Sequence, residues 1–262
     1  MSYNSALDEL FLVDCINHVV RVIRLRDNAG DLQDVYRGSH DTPAEVLSVC
    51  HMRDSDTLFV CSSEIGPDEN KVNWLVALNR NGNEWRESQL VQTDGNGHVI
   101  CQLSDSRILI GESYSSLMEI FSVQNSRPQI ARVQSIHLPE KYFWFSAKCV
   151  NDTLVAMTYF DTDLSVRLHR LLDDRLEELA HILINNPVDL LWLSDRLVVS
   201  DLDDNMGSHA IIELEVTGTG LERRRELISS SENINENSWS LADDGIVMFD
   251  DNSKDIFHYS IA

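Results

Sequence analysis

The chain has 262 residues, with 21 Lys+Arg against 43 Asp+Glu, a formal net charge of −22 and a pI near 4.6. Its 43% hydrophobic and 24% charged content is that of a globular chain able to bury a sizeable core, which excludes wholesale disorder. The acidic balance argues against nucleic acid, whose phosphates recruit Lys and Arg, and against anionic membrane surfaces. The opening MSYNSALDEL lacks the basic and apolar segments of a signal peptide. No apolar run nears the roughly 20 residues that cross a bilayer; LFLV at 10–13 is strand-sized. The cysteines are Cys15, Cys50, Cys61, Cys101 and Cys149, an odd set without a CxxC pair. They predict reduced thiols, mostly buried, in a cytoplasmic or nuclear protein that is not secreted. In that setting the sequon Asn151-Asp152-Thr153 carries no glycan.

In chain order, one pattern recurs. A polar turn precedes a short apolar run, and a carboxylate often follows. The copies are LDELFLVD (7–14), DSDTLFVCSSE (54–64), LSDSRILIGE (103–112), VNDTLVAMTYFD (150–161), LSDRLVVSD (193–201) and LADDGIVMFD (241–250). Their first apolar residues are Leu10, Leu58, Ile108, Leu154, Leu197 and Ile246, spaced 48, 50, 46, 43 and 49 residues apart. The third repeat shows the content of each unit: HVICQL (98–103), ILIGE (108–112), LMEIFSV (117–123) and IARVQSI (130–136), parted by polar turns. Four strands per repeat predict an all-β fold, a β-propeller of six blades with incomplete terminal blades. The expected blades are 1–43, 44–96, 97–139, 140–186, 187–236 and 237–262, in a single domain 1–262. The first lacks most of its innermost strand, and the last stops one strand short. The leucines of 164–184 recur at three- and four-residue steps, as in an amphipathic helix, but the repeat register favours two strands joined at Asp173-Asp174. Only 11 glycines are present, few for a turn-rich fold.

The first repeat, LFLVDCINHVVRVIRL (10–25), resembles the NHL-repeat pattern through Val13, Asp14, Asn17, His18, Val20, Arg21 and Val22. The last repeat matches more weakly, through Asp250, Asn252 and Ile256, without a histidine after the asparagine. The resemblance implies a six-bladed propeller of the NHL or YWTD-like kind. Such propellers mostly bind proteins or RNA, and related folds include metal-dependent lactonases. RNA-binding members use basic faces, which this acidic chain does not match.

Asp14, Glu112, Asp201 and Asp250 end the apolar strand in their repeats, and Glu64 and Asp161 fall slightly later. In a propeller, equivalent positions share one face, so these oxygens could ligate a hard cation such as Ca²⁺ and support ester or lactone hydrolysis. The alternative is structural: each carboxylate accepts N–H groups from its own turn or the next blade. Asp201-Leu202-Asp203-Asp204-Asn205 lacks the glycine and distal glutamate of a calcium loop, and Asp250-Asp251 is equally a solvated turn.

Other chemistry is weaker. Gly111-Glu112-Ser113-Tyr114-Ser115 lacks the closing glycine of a nucleophile elbow. Gly95-Asn96-Gly97 has no third glycine, and the nine histidines include no HExxH. Tyr142, Phe143, Trp144 and Phe145 cluster after Pro139; they pack in the core, or Tyr142 and Trp144 anchor a partner. Arg223, Arg224 and Arg225 read as a solvated outer strand or a local docking spot for acidic peptide. The expectation is a non-catalytic protein-interaction scaffold without cofactor, presenting an acidic face to basic partners as a monomer or within a complex. The alternatives are a Ca²⁺-dependent hydrolase and a structural module of a larger assembly.

Overall fold

A computed structural model describes residues 2–4, 6–24, 32–38, 44–52, 55–65, 70–112, 116–124, 129–138, 144–160, 163–193, 196–203, 208–218, 220–230, 236–242, 245–250 and 256–260. The side chains of 144–145, 193, 202–203, 208–209 and those beyond 227 are not described. Strands alone make up the regular structure of these residues, so no helix among them is long and apolar enough to cross a membrane.

Each sheet is an antiparallel meander in sequence order. The first holds β1 (Ser2–Asn4), β2 (Glu9–Asp14), β3 (Val19–Arg24) and β4 (Gln33–Arg37); the second holds β5 (Glu45–His51), β6 (Thr57–Ile65), β7 (Lys71–Asn81) and β8 (Glu84–Thr93). The third holds β9 (Val99–Ser104), β10 (Arg107–Gly111), β11 (Leu117–Gln124) and β12 (Gln129–His137). The fourth holds β13 (Trp144–Asn151), β14 (Leu154–Tyr159), β15 (Ser165–Leu171) and β16 (Leu176–Leu183). The fifth holds β17 (Pro187–Leu193), β18 (Arg196–Asp203), β19 (Ser208–Thr217) and β20 (Gly220–Ser230). A three-stranded sheet holds β21 (Glu236–Ala242), β22 (Gly245–Asp250) and β23 (Ile256–Ser260). This is the β-propeller architecture; the described residues form five four-stranded blades, not the expected six, beside the three-stranded sheet. As expected, the innermost strand of the first sheet is short, with three residues.

The repeat positions Leu10, Leu58, Ile108, Leu154, Leu197 and Ile246 all lie in the second strand of their sheets. Sheets stacked face to face bury these strands on both sides, so the strands read as continuous apolar runs rather than alternating ones. Residues Leu58–Ser63 of β6 and Ile108–Gly111 of β10 are buried throughout. The fourth strands are half-covered: β8 and β12 are mostly exposed and carry the charges.

The helical reading of 164–184 is settled in favour of strands. β15 and β16 pair from Ser165↔Leu183 to Leu171↔Leu176, and Leu172 N donates to Arg175 O at 2.9 Å across Asp173-Asp174. Burial on β15 follows from its place as a third strand, where Val166 and Leu168 pack against neighbours on one face while His169 and Arg167 lie on the other.

The chain divides into two compact units, Met1–Glu112 with Met118–Ser135, and Ser113–Leu117 with Ile136–Ala262. In the first, Phe11, Val20, Val49, Leu58 and Val76 join the first two sheets, and Phe59, Leu75, Ile100, Ile108 and Phe121 join the second and third. In the second unit, Ala156, Val166, Leu190, Leu197 and Ile212 join the fourth and fifth sheets.

Candidate functional site

The strand-ending carboxylates are placed by the repeat, and Asp14, Glu112 and Asp201 are each held by their own sheet or the connector leading into it. Asp14 closes the turn after β2: Asn17 N donates to its Oδ1 at 3.0 Å, Asn17 Nδ2 to Oδ2 at 2.7 Å, and Arg21 lies 2.9 Å away. Burial opposes ionisation of Asp14, but the Asn17 bonds and Arg21 outweigh it, so its pKa is lowered. His18 takes a left-handed φ of 54° in the same turn. Asp14, Asn17 and Arg21 thus bind one another across the β2–β3 hairpin, and Arg21 also reaches Asp34 of β4 at 3.1 Å, which gives the Asp, Asn and Arg of the motif a structural task.

Glu112 and Asp201 share a different role. Glu112 Oε1 accepts from Asn96 Nδ2, just ahead of β9, and Asp201 Oδ1 accepts from Asn186 N at 2.9 Å, just ahead of β17. In both sheets an acid near the end of the second strand, just past β10 or inside β18, tethers the connector that enters the first strand. Asp250 ends β22, and its side chain is not described. Glu64 is half-buried on β6. Tyr142, Phe143, Asp161, Asp204, Asn205 and Asp251 lie outside the described residues; Trp144 opens β13 without a described side chain. Among the described residues, no group of three or more His, Cys, Asp or Glu is arranged to hold a metal ion.

The Gly95-Asn96-Gly97 segment is a sheet-to-sheet connector. Asp94 N and Gly95 N both donate to Glu119 Oε2, at 3.0 and 3.2 Å, and Thr93 Oγ1 donates to Gly95 O at 2.8 Å. Ser48 Oγ donates to Gly97 O at 2.6 Å. Gly97 has φ of 62°, and a Cβ there would lie 2.7 Å from Cys61 Sγ, so only glycine fits. Cys50, Cys61 and Cys101 are buried as expected, and burial pushes the Cys61 thiol up to about 12. Cys15 is exposed in the Asp14 turn.

The sequence reading missed three carboxylates set in apolar strands. Glu9, only 1% exposed, receives Arg80 through two bonds of 2.6 and 2.9 Å and Arg24 at 3.3 Å. This forked contact joins the first sheet to the second. Trp85 lies beneath the Arg80 guanidinium, 5.6 Å from it, and His51 stacks on Phe11 beside them. Burial lowers the pKa of His51, and its Nε2 finds no partner among the described residues. Glu119 binds Arg132 at 2.9 Å besides the connector. Glu213 takes Arg225 at 2.8 Å and Arg196 at 3.6 Å. The available signal was an acid inside an apolar strand, as in LMEIFSV and IIELEV. With Arg223 beside Glu226 and Arg224 beside Glu215, the arginine run is a charge-paired, half-exposed outer strand.

In the second unit, His169 Nε2 and Tyr159 Oη lie 2.8 Å apart in buried surroundings, and Arg167 covers the Tyr159 ring at 4.4 Å. Burial lowers the His169 pKa to about 4, so the ring is neutral near pH 7. Apolar side chains emerge at the strand-end turns instead: Ile16 is 82% exposed after β2, and Ile65 is 51% exposed at the equivalent end of β6.

No protein-family model matches the chain, and no curated protein matches it in sequence. Solved structures match its fold. A protein from Lactobacillus plantarum is 11% identical, with 86% of this chain and 69% of that one covered and a TM-score of 0.61. A putative 6-phosphogluconolactonase from Bacteroides fragilis is 10% identical, covering 95% and 80%, with a TM-score of 0.61. A chain of a mitotic checkpoint complex is 10% identical, covering 99% and 88%, with a TM-score of 0.57. These likenesses establish the propeller fold and nothing finer.

Proposed function

We propose that the chain is a non-catalytic scaffold whose propeller sheets present an acidic, apolar-tipped edge to protein partners. The carrying observation is the placement of Ile16 and Ile65 at equivalent strand ends of adjacent sheets, beside Asp14, Glu45 and Glu64. Asp14 serves its turn and Glu45 pairs with Lys71 at 3.0 Å, and the exposed isoleucines have no such task. A partner of matching chemistry offers an apolar residue flanked by Lys or Arg. Electrostatic steering would speed its arrival and weaken with salt. Tyr142 and Trp144 are proposed as further aromatic anchors. That one neighbour sits in a multiprotein complex supports the reading by analogy. The test is affinity capture with the wild-type chain and the Ile16→Glu/Ile65→Glu variant, at low and high salt. Partners retained by the wild type, and lost to the variant and to salt, support the reading. Identical profiles overturn it.

The likeness to a putative lactonase favours a second reading, a Ca²⁺-dependent hydrolase with Asp14, Glu112, Asp201 and Asp250 as oxygen ligands. The bonds already made by Asp14, Glu112 and Asp201 weigh against it. Thermal melts in excess EDTA and then in excess Ca²⁺ decide. A bound ion at about 100 times its Kd stabilises by about 2.7 kcal/mol, and coincident melts remove this reading.

A further inference from the structure

Three steps in the described chain join an Asn or Asp to a following glycine: Asn81-Gly82, Asp94-Gly95 and Asn96-Gly97. Such steps share one chemistry. The glycine backbone nitrogen attacks the side-chain carbonyl carbon and closes a five-membered succinimide. From asparagine the leaving group is ammonia. Water then adds across one of the two imide C–N bonds, giving an aspartyl or an isoaspartyl linkage. Glycine hinders the attack least, so local structure decides which step reacts.

Two of the steps are clamped. In Asp94-Gly95, the attacking nitrogen is occupied by Glu119 Oε2 at 3.2 Å, and Arg132 holds the Asp94 carboxylate. In Asn96-Gly97, the amide is tied to Glu112, and Gly97 is seated on Cys61 with its carbonyl held by Ser48. Neither segment can swing into the ring-closing geometry without opening the joint between the second and third sheets.

Asn81-Gly82 is different. It forms the tip of the β7–β8 hairpin, where Asn81, Gly82, Asn83 and Glu84 are all exposed. Gly82 has φ of 65° with nothing within 4 Å of a Cβ position. Arg80 Nε donates to Gly82 O at 3.0 Å, leaving the imide-forming atoms unobstructed. We propose that Asn81 is a site of spontaneous, self-catalysed deamidation, so that the protein accumulates a carboxylate and an isoaspartyl linkage at this hairpin as it ages. Arg80 gives the event a reach beyond the turn. The same guanidinium holds Glu9 of the first sheet. A new carboxylate one residue away competes for it. The isoaspartyl linkage adds a backbone methylene that displaces the Gly82 carbonyl from Arg80. The modified hairpin is a substrate for the class of carboxyl methyltransferases that act on isoaspartyl groups.

The test is peptide mapping by mass spectrometry after prolonged incubation of the folded full-length chain at mildly alkaline pH, with a parallel sample in concentrated urea. In the folded chain, Asn81 should convert about tenfold or more ahead of Asn96, because Asn96 reacts only through local opening. In urea the two should converge to within about twofold. The Asn81→Gln variant should lack the early product while its Asn96 rate stays unchanged. Equal rates in the folded chain overturn the proposal. The same ratio in urea also overturns it, because sequence context rather than the hairpin would then govern the chemistry.

Discussion

Glu9 and Asp14 stand at the two ends of one six-residue strand, and they are held in opposite ways. Asp14 is satisfied by residues three and seven positions further on, within its own β2–β3 hairpin. Glu9 is satisfied by Arg80, 71 residues away on the neighbouring sheet, and by Arg24 across its own sheet. The first arrangement follows from the local chain. The second exists only because two sheets meet. An acid whose partners are local can be lost cheaply, whereas one whose partner arrives through packing is part of the joint.

The sharpest way to break this contrast is Arg80→Ala. It leaves the Glu9 carboxylate buried with Arg24 alone and should cost about 3–5 kcal/mol in urea unfolding. A cost no larger than that of Asp14→Ala would erase the distinction. Because apolar replacement of a whole buried pair is often tolerated, Glu9→Leu combined with Arg80→Met should recover most of the loss.

His169 extends the contrast to the second unit. Its folded pKa of about 4 lies below the unfolded value of 6.5, so the unfolded chain binds more protons between them. Stability therefore falls as pH drops from 6.5 toward 4, by on the order of 3 kcal/mol. His51 shifts in the same direction and adds to the slope. The pH dependence of the urea midpoint should flatten measurably in His169→Gln.

Two glycines carry the comparison at smaller scale. Gly97 and Gly82 share a positive φ, but a methyl at Gly97 meets Cys61 while one at Gly82 meets open space. Gly97→Ala should cost about 2–3 kcal/mol, from strain and overpacking together. Gly82→Ala should cost about 1 kcal/mol, from strain alone. Equal thermal shifts would mean that contact with Cys61 is easily relieved.

The smallest effect belongs to Asp14→Ala, about 1 kcal/mol or less at neutral pH. Its lowered pKa means that the contribution is present above the unfolded carboxylate value and disappears as pH falls through the folded one. The variant and the wild type should therefore converge in stability in strong acid.

Legibility followed the range of each interaction. The second strands were readable because an apolar run recurred near every 47 residues, and burial between sheets requires such runs. The leucine-rich 164–184 segment resembled a helix because side-chain periodicity in a strand buried on both faces carries little information. Asp14 was legible as a turn residue. Glu112 and Asp201 were legible as equivalent positions, but their shared task was not, since Asn96 and Asn186 are met only when the sheet folds back on itself. Glu9, Glu119 and Glu213 are not legible as joints, because an acid in a strand gives no hint of which arginine will reach it.

By itself, the sequence determined the all-β class, the repeat phase, the six second strands and the local turns, because these depend on patterns within a few residues or on their periodic return. Only the tertiary structure decided that Glu9 pairs with Arg80 and that Glu119 holds the connector entering the third sheet. It also decided that His169 is held neutral, and that one Asn-Gly step is exposed while the other is clamped. Each of these depends on which surfaces meet, and burial there removes the water that would otherwise satisfy a charge, a proton or an amide.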